Sequence, residues 1–141
     1  MTDLRTEKTR KIANKFLETL LSGDPKGIGA MFESVDGGWN VLGKNEQFPF
    51  ARKYSPEEIE DLFIAQRPAA AEGGGVEILG VFADGDRAFV EMHAKATSST
   101  GKPYDNRVLF SIHTGETGII LIEEYMDTRH LHELLSDAAA E

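Results

Sequence analysis

A chain of 141 residues fits one domain of the usual size, with enough length to bury a core unaided by staples. The absence of cysteine excludes disulfides, thiol nucleophiles and thiolate metal sites. Lys plus Arg is 15 against 24 Asp plus Glu, and the resulting formal charge of −9 repels phosphate backbones and anionic lipid heads, which disfavours nucleic acid and membrane as partners.

Residues 1–15 are polar, without the apolar core of a signal peptide, and no apolar run approaches the ~20 residues of a membrane span. A soluble, cytoplasmic protein is expected. Ile12, Ala13, Phe16, Leu17, Leu20 and Leu21 recur at helical spacing, with polar residues between them, and predict an amphipathic first helix. Ser22-Gly23 suits its C-terminus, and Asp24-Pro25 supplies the cap and first turn of a short second helix to about Phe32. Trp39 to Leu42 reads as a short strand, followed by an irregular segment from Glu46 to Tyr54 that carries Phe48, Phe50 and Tyr54. Ser55-Pro56-Glu57-Glu58 is a capping-box start for a third helix from Pro56 to Gln66.

After Gly73-Gly74-Gly75, read as a hinge, the texture changes to strands at Val76–Phe82, Arg87–Thr97, Tyr104–His113 and Ile119–Met126. Their short, turn-rich connections predict an antiparallel meander. Asp127-Thr128 then caps a last helix through Leu135. Helices first and a meander after them indicate an α+β protein whose helices pack on one face of a curved sheet.

Alternation along the strands assigns faces. Val90, Met92, Ala94 and Ala96 form the apolar face of the second long strand. Closing the Ser98 to Lys102 turn sets Ala94 opposite Asn106 and Ala96 opposite Tyr104, so Tyr104, Asn106, Val108, Phe110 and Ile112 point inward. Closing the last hairpin with Asn106 beside Glu124 and Phe110 beside Ile120 turns Ile120, Ile122, Glu124 and Met126 inward as well. Glu124 then sits among apolar residues, where an ionised carboxylate is costly unless hydrogen-bonded, and Asn106 and Tyr104 are the expected partners. A carboxyl, an amide and a phenol around space left by Ala94 and Ala96 have the composition of a small-ligand pocket. The plainer reading puts Glu124 at the sheet's end, paired with a surface cation.

Four stretches carry a family resemblance. They are Leu21-Ser22-Gly23-Asp24, Trp39-Asn40-Val41-Leu42-Gly43, Pro49-Phe50-Ala51 with Ser55-Pro56-Glu57-Glu58-Ile59, and Tyr104-Asp105-Asn106-Arg107 with Glu124-Tyr125-Met126-Asp127-Thr128. In these the chain resembles the SnoaL-like, ketosteroid isomerase-related branch of the nuclear transport factor 2-like superfamily. The resemblance implies a single SnoaL-like domain over residues 1–141, a cone-shaped α+β barrel. A curved, mainly antiparallel sheet wraps three N-terminal helices, a short C-terminal helix follows, and the open end holds a deep apolar pocket. It also implies a homodimer through the outer sheet face, where Ile119, Leu121 and Tyr125 are expected.

Carried over residue by residue, the resemblance implies departures. Ketosteroid isomerases place an oxyanion-hole tyrosine where this chain has Phe16; their second donor aligns near Leu109 or Phe110 and their proton-shuttling aspartate near Trp39-Asn40. The last-strand aspartate of limonene epoxide hydrolases aligns with Glu124, but their arginine and second aspartate fall near Met92 and Ala94. SnoaL-type cyclases work with a single acid/base group, the chemistry compatible with Glu124 alone. The expected catalytic residues are therefore Glu124, Asn106 and Tyr104, and the expected ligand-binding residues are Phe16, Trp39, Phe50, Tyr54, Met92, Phe110 and Met126.

Other residues read more plainly. His93 and His113 fall on the outer face, His130 and His132 on different faces of the last helix, and Asp127 suits capping. No His and carboxylate cluster has ligand spacing, so neither metal nor cofactor is expected. Three functional readings remain: an isomerase- or cyclase-type enzyme acting on a small apolar carbonyl compound through Glu124, a non-catalytic ligand-binding module using the same pocket, and a dimeric structural module with a filled core.

Overall fold

The computed structural model describes residues 3–140; Met1, Thr2 and Glu141 lie outside the described residues. Helix α1 (Leu4–Leu21) starts on Asp3, whose carboxylate accepts the Arg5 backbone N–H at 3.1 Å. It ends before Gly23, which takes the left-handed φ of 71° expected of a helix stop. Its buried stripe is Thr9, Ala13, Phe16 and Leu17, while Leu21 is exposed. Helix α2 (Pro25–Gly29) is shorter than expected: Phe32, at its predicted end, forms a parallel bridge with Ile119 instead.

Strands β1 (Gly38–Val41) and β2 (Lys53–Tyr54) form an antiparallel pair. A 3-10 turn over Pro56–Glu58 leads into α3 (Ile59–Gln66), with the Glu58 carboxylate reaching back to the Ser55 N–H at 3.0 Å as the capping pattern requires. A further 3-10 turn, Arg67–Ala70, joins α3 to β3 (Glu72–Asp84). Then come β4 (Arg87–Thr97), β5 (Pro103–Thr114), β6 (Ile119–Tyr125) and α4 (Thr128–Ala139), the last capped by the Asp127 carboxylate on the His130 N–H.

The three glycines read as a hinge lie inside β3, where the register slips between Glu72 and Gly75. Gly74 has φ +80°, and a Cβ there would collide with the Lys95 carbonyl of β4. The run is thus a bulge where two backbones approach closely, a use of glycine that imitates a linker in sequence.

The six strands form one sheet in the order β2-β1-β6-β5-β4-β3. It is antiparallel except where β1 runs parallel to β6, and it does not close, so the expected barrel is an open, mixed sheet. β4 and β5 pair as expected, Ala94 against Asn106 and Ala96 against Tyr104. The β5–β6 register differs. Gly115 and Gly118 close the turn, Thr114 pairs with Ile119, and Phe110 rather than Asn106 or Tyr104 lies nearest Glu124 across the pair. Ile120 is left unpaired at the irregularity, so it is exposed while Ile119, expected outside, is fully buried. The slip from Ile120 to Glu124 as the partner of Phe110 is an even number of residues, which leaves Glu124 on the inner face. Helices α1 and α3 cover that face, and the core includes Phe16, Ile28, Leu62, Val90 and Ile112. Among the described residues, no helix is long and apolar enough to cross a membrane.

Candidate functional site

Glu124 is buried, at 4 % exposure. Its position follows from strand parity, and its partner from sheet order. β1 lies beside β6 with Trp39 opposite Ile122, so the next inward residue along β6 after Ile122 is Glu124. The Trp39 indole N–H donates to Glu124 Oε1 at 2.8 Å. Removal from water pushes the Glu124 carboxyl up to about 7 from an ordinary 4.5, with the indole hydrogen bond pulling the other way.

Glu124 borders a cavity of about 220 Å³ between the sheet and helices α1 and α3. Trp39, Met92, Phe110 and Tyr104 line it, as expected, and so does Ala94, whose small side chain leaves room there. The helical wall is made by Leu20, Leu62, Phe63 and Gln66, with Arg67 and Ala70 from the following turn. Burial and the nearby Glu124 carboxyl push the Tyr104 phenol up to about 12, against a smaller pull from Asn106. The Tyr104 ring stacks on His130 at 5.6 Å and 5°, which ties the pocket wall to α4.

Asn106 is buried but does not reach Glu124. Its Oδ1 accepts the Asp127 N–H at 3.1 Å and its Nδ2 donates to the Asp127 carbonyl at 3.2 Å, so the amide is spent on the entry to α4. The altered β5–β6 register accounts for this, since Asn106 falls beyond the end of the β6 pairing. Phe16 lies one layer beneath the cavity. Its ring meets Trp39 at 5.6 Å and Phe110 at 5.2 Å, both edge-on, and Trp39 meets Phe110 at 5.3 Å. Phe16 thereby fixes two lining rings without itself bordering the space.

Three further expected lining residues lie elsewhere. Phe50 and Tyr54 belong to the common core but do not line the cavity: the Tyr54 hydroxyl donates to the Phe50 carbonyl at 2.8 Å and its ring lies under the Arg52 guanidinium. Met126 follows the end of β6 and borders a shallow groove with Glu91, Arg107 and Tyr125 on the other side of the sheet. Sequence reasoning missed Gln66 and Phe63, which the helical pattern presents only as the end of α3; the capping signal that starts this helix sets their phase.

A larger cleft of about 420 Å³ runs between α2 and the turn before α3. Its charged residues, Lys26, Glu33, Glu57 and Glu60, are all solvent-exposed, and no buried polar side chain lines it. The outer-face histidines pair with acids: His93 with Asp105, and His113 Nε2 with Glu123 Oε1 at 2.7 Å. Among the described residues, no group of three His or carboxylate side chains is placed to hold a metal ion.

Neither a protein-family model nor a curated protein sequence matches the chain. Solved structures do match in fold. A nuclear transport factor 2-like protein of unknown function from Burkholderia pseudomallei is 14 % identical with a TM-score of 0.76, over 91 % of this chain and 97 % of that one. A candidate SnoaL-like polyketide cyclase from Jannaschia sp. also superposes with a TM-score of 0.76, at 7 % identity over 96 % of each chain. A protein of ketosteroid isomerase-like fold from Catenulispora acidiphila, in complex with trimethylamine, is 16 % identical with a TM-score of 0.63, over 81 % of this chain and 83 % of that one.

Proposed function

From a nuclear transport factor 2-like fold that encloses one carboxyl group, we propose that this protein binds a small apolar carbonyl compound in the cavity and that Glu124 takes and returns a proton on it. The observation that carries the reading is Glu124 itself: buried against an apolar cavity, held by one indole N–H, with its carboxyl pushed up to about 7. A base poised near neutral pH accepts a proton from carbon and returns it at a different carbon without a second acid. Epoxide hydrolysis by three charged groups is disfavoured, because Met92 and Ala94 line the wall where the other two would stand.

The test is deuterium uptake at the α-carbons of 2-indanone in heavy water, followed by proton NMR with wild-type protein and Glu124→Gln. The expected result is uptake that accelerates as pH passes through about 7 and is lost in Glu124→Gln. Saturable binding without catalysed uptake would leave a ligand-binding module, and uptake unchanged in the variant would overturn the role of Glu124. We also propose a cytoplasmic homodimer formed through the outer sheet face, where Phe82, Phe89 and Tyr125 are exposed. Sedimentation of a monomer at tens of micromolar would refute the dimer.

A further inference from the structure

The Gln66 side-chain nitrogen is buried in the wall of the Glu124 cavity and has no hydrogen-bond partner among the described residues. Buried donors in folded proteins are nearly always paired, because leaving one unpaired forfeits its hydration for nothing. Every other cavity wall is apolar or aromatic apart from Glu124, Tyr104 and the exposed Arg67 at the rim. An unpaired NH2 and a carboxyl therefore share one apolar space, a donor from α3 and an acceptor of protons from β6.

We propose that Gln66 is the ligand-positioning residue of this cavity and that its amide donates to the carbonyl oxygen of an uncharged, ring-sized ketone. The inference rests on the reading of the cavity as a ligand site and adds the group that orients the ligand and the class it selects. An amide NH2 is a neutral donor, suited to a carbonyl; a ligand carboxylate would instead set a second acid group beside Glu124 against a mostly apolar wall. Size points the same way. A dry cavity of about 150 Å³ holds one benzene ring, so about 220 Å³ accommodates a substituted or fused bicyclic ring.

The experiment compares 2-indanone with indane, its counterpart without the carbonyl, by calorimetry on wild-type protein and Gln66→Met. Wild type should bind the ketone roughly two- to tenfold more tightly than the hydrocarbon, the range of one neutral hydrogen bond. Gln66→Met should bring that ratio to about one while retaining indane. Because the Gln66 side-chain nitrogen has no hydrogen-bond partner among the described residues, Gln66→Met should leave the unliganded melting temperature unchanged or higher, which guards against a folding artefact. Equal affinities in wild type, or a ketone preference that survives in Gln66→Met, would overturn the role of Gln66 while leaving Glu124 chemistry to its own test. Binding of neither compound would overturn both readings.

Discussion

Trp39 and Glu124 are 85 positions apart in the chain, yet the indole of one holds the carboxyl of the other at 2.8 Å. The contact exists because β1 inserts parallel to β6, which brings two inward-facing residues onto neighbouring strands. The consequence is electrostatic. One neutral donor does not offset the loss of water around an ion, so the protonated form is favoured well above the ordinary carboxyl range.

That preference links stability to pH. Between about 4.5 and about 7 the native protein holds a proton at Glu124 that the unfolded chain has released, so this contribution is complete below 4.5 and is lost as pH rises to about 7. The full swing is on the order of 3 kcal/mol at about 1.4 kcal/mol per pH unit of displacement. Urea melts at several pH values should show Glu124→Gln flattening the slope in that window. A slope equal to wild type would mean that the carboxyl is not buried in solution.

Trp39→Phe keeps an aromatic ring in the core but removes the N–H. Its pull on Glu124 is downward, so the carboxyl should titrate still higher in the variant, and carbon-13 NMR of the Glu124 carboxyl would follow it. The stability cost should be about 1 kcal/mol where the acid is neutral and should grow as pH passes 7, since bonds to charged groups are the stronger ones. An unmoved titration would place the indole bond outside the solution structure.

Asn106→Ala separates a positioning role in α4 from the catalytic partnership expected from sequence. Both lost bonds are to the Asp127 backbone, so the variant should lose roughly 1 to 3 kcal/mol and speed amide exchange at the start of α4, while the Glu124 titration stays put. A shifted Glu124 titration with α4 intact would restore the partnership.

Phe16→Ala empties the junction between Trp39 and Phe110. With the side chain fully buried and in edge-on contact with both rings, the cost should be about 3 to 5 kcal/mol by chemical denaturation. A cost near zero would show that α1 docks by another face.

Local order along the chain determined a good deal of this protein. Ser55 and Glu58, Asp24 and Asp127 mark their helix starts, and the turn at Ser98–Lys102 sets the β4–β5 register, because these contacts join residues a few positions apart. Strand parity likewise put Glu124 inside, and it survived a misjudged β5–β6 register because an even slip keeps a side chain on its face. The partners of Glu124 were decided only by tertiary structure. Parity names the face of a strand but not its neighbours across the sheet, so the parallel insertion of β1 that brings in Trp39 left no mark in the residue order. The same holds for Gln66, which reaches the cavity from a helix whose docking angle depends on the packed sheet beneath it. A buried carboxyl takes whichever donor the folded chain brings within hydrogen-bond reach, and that distance is a property of the assembled layers alone.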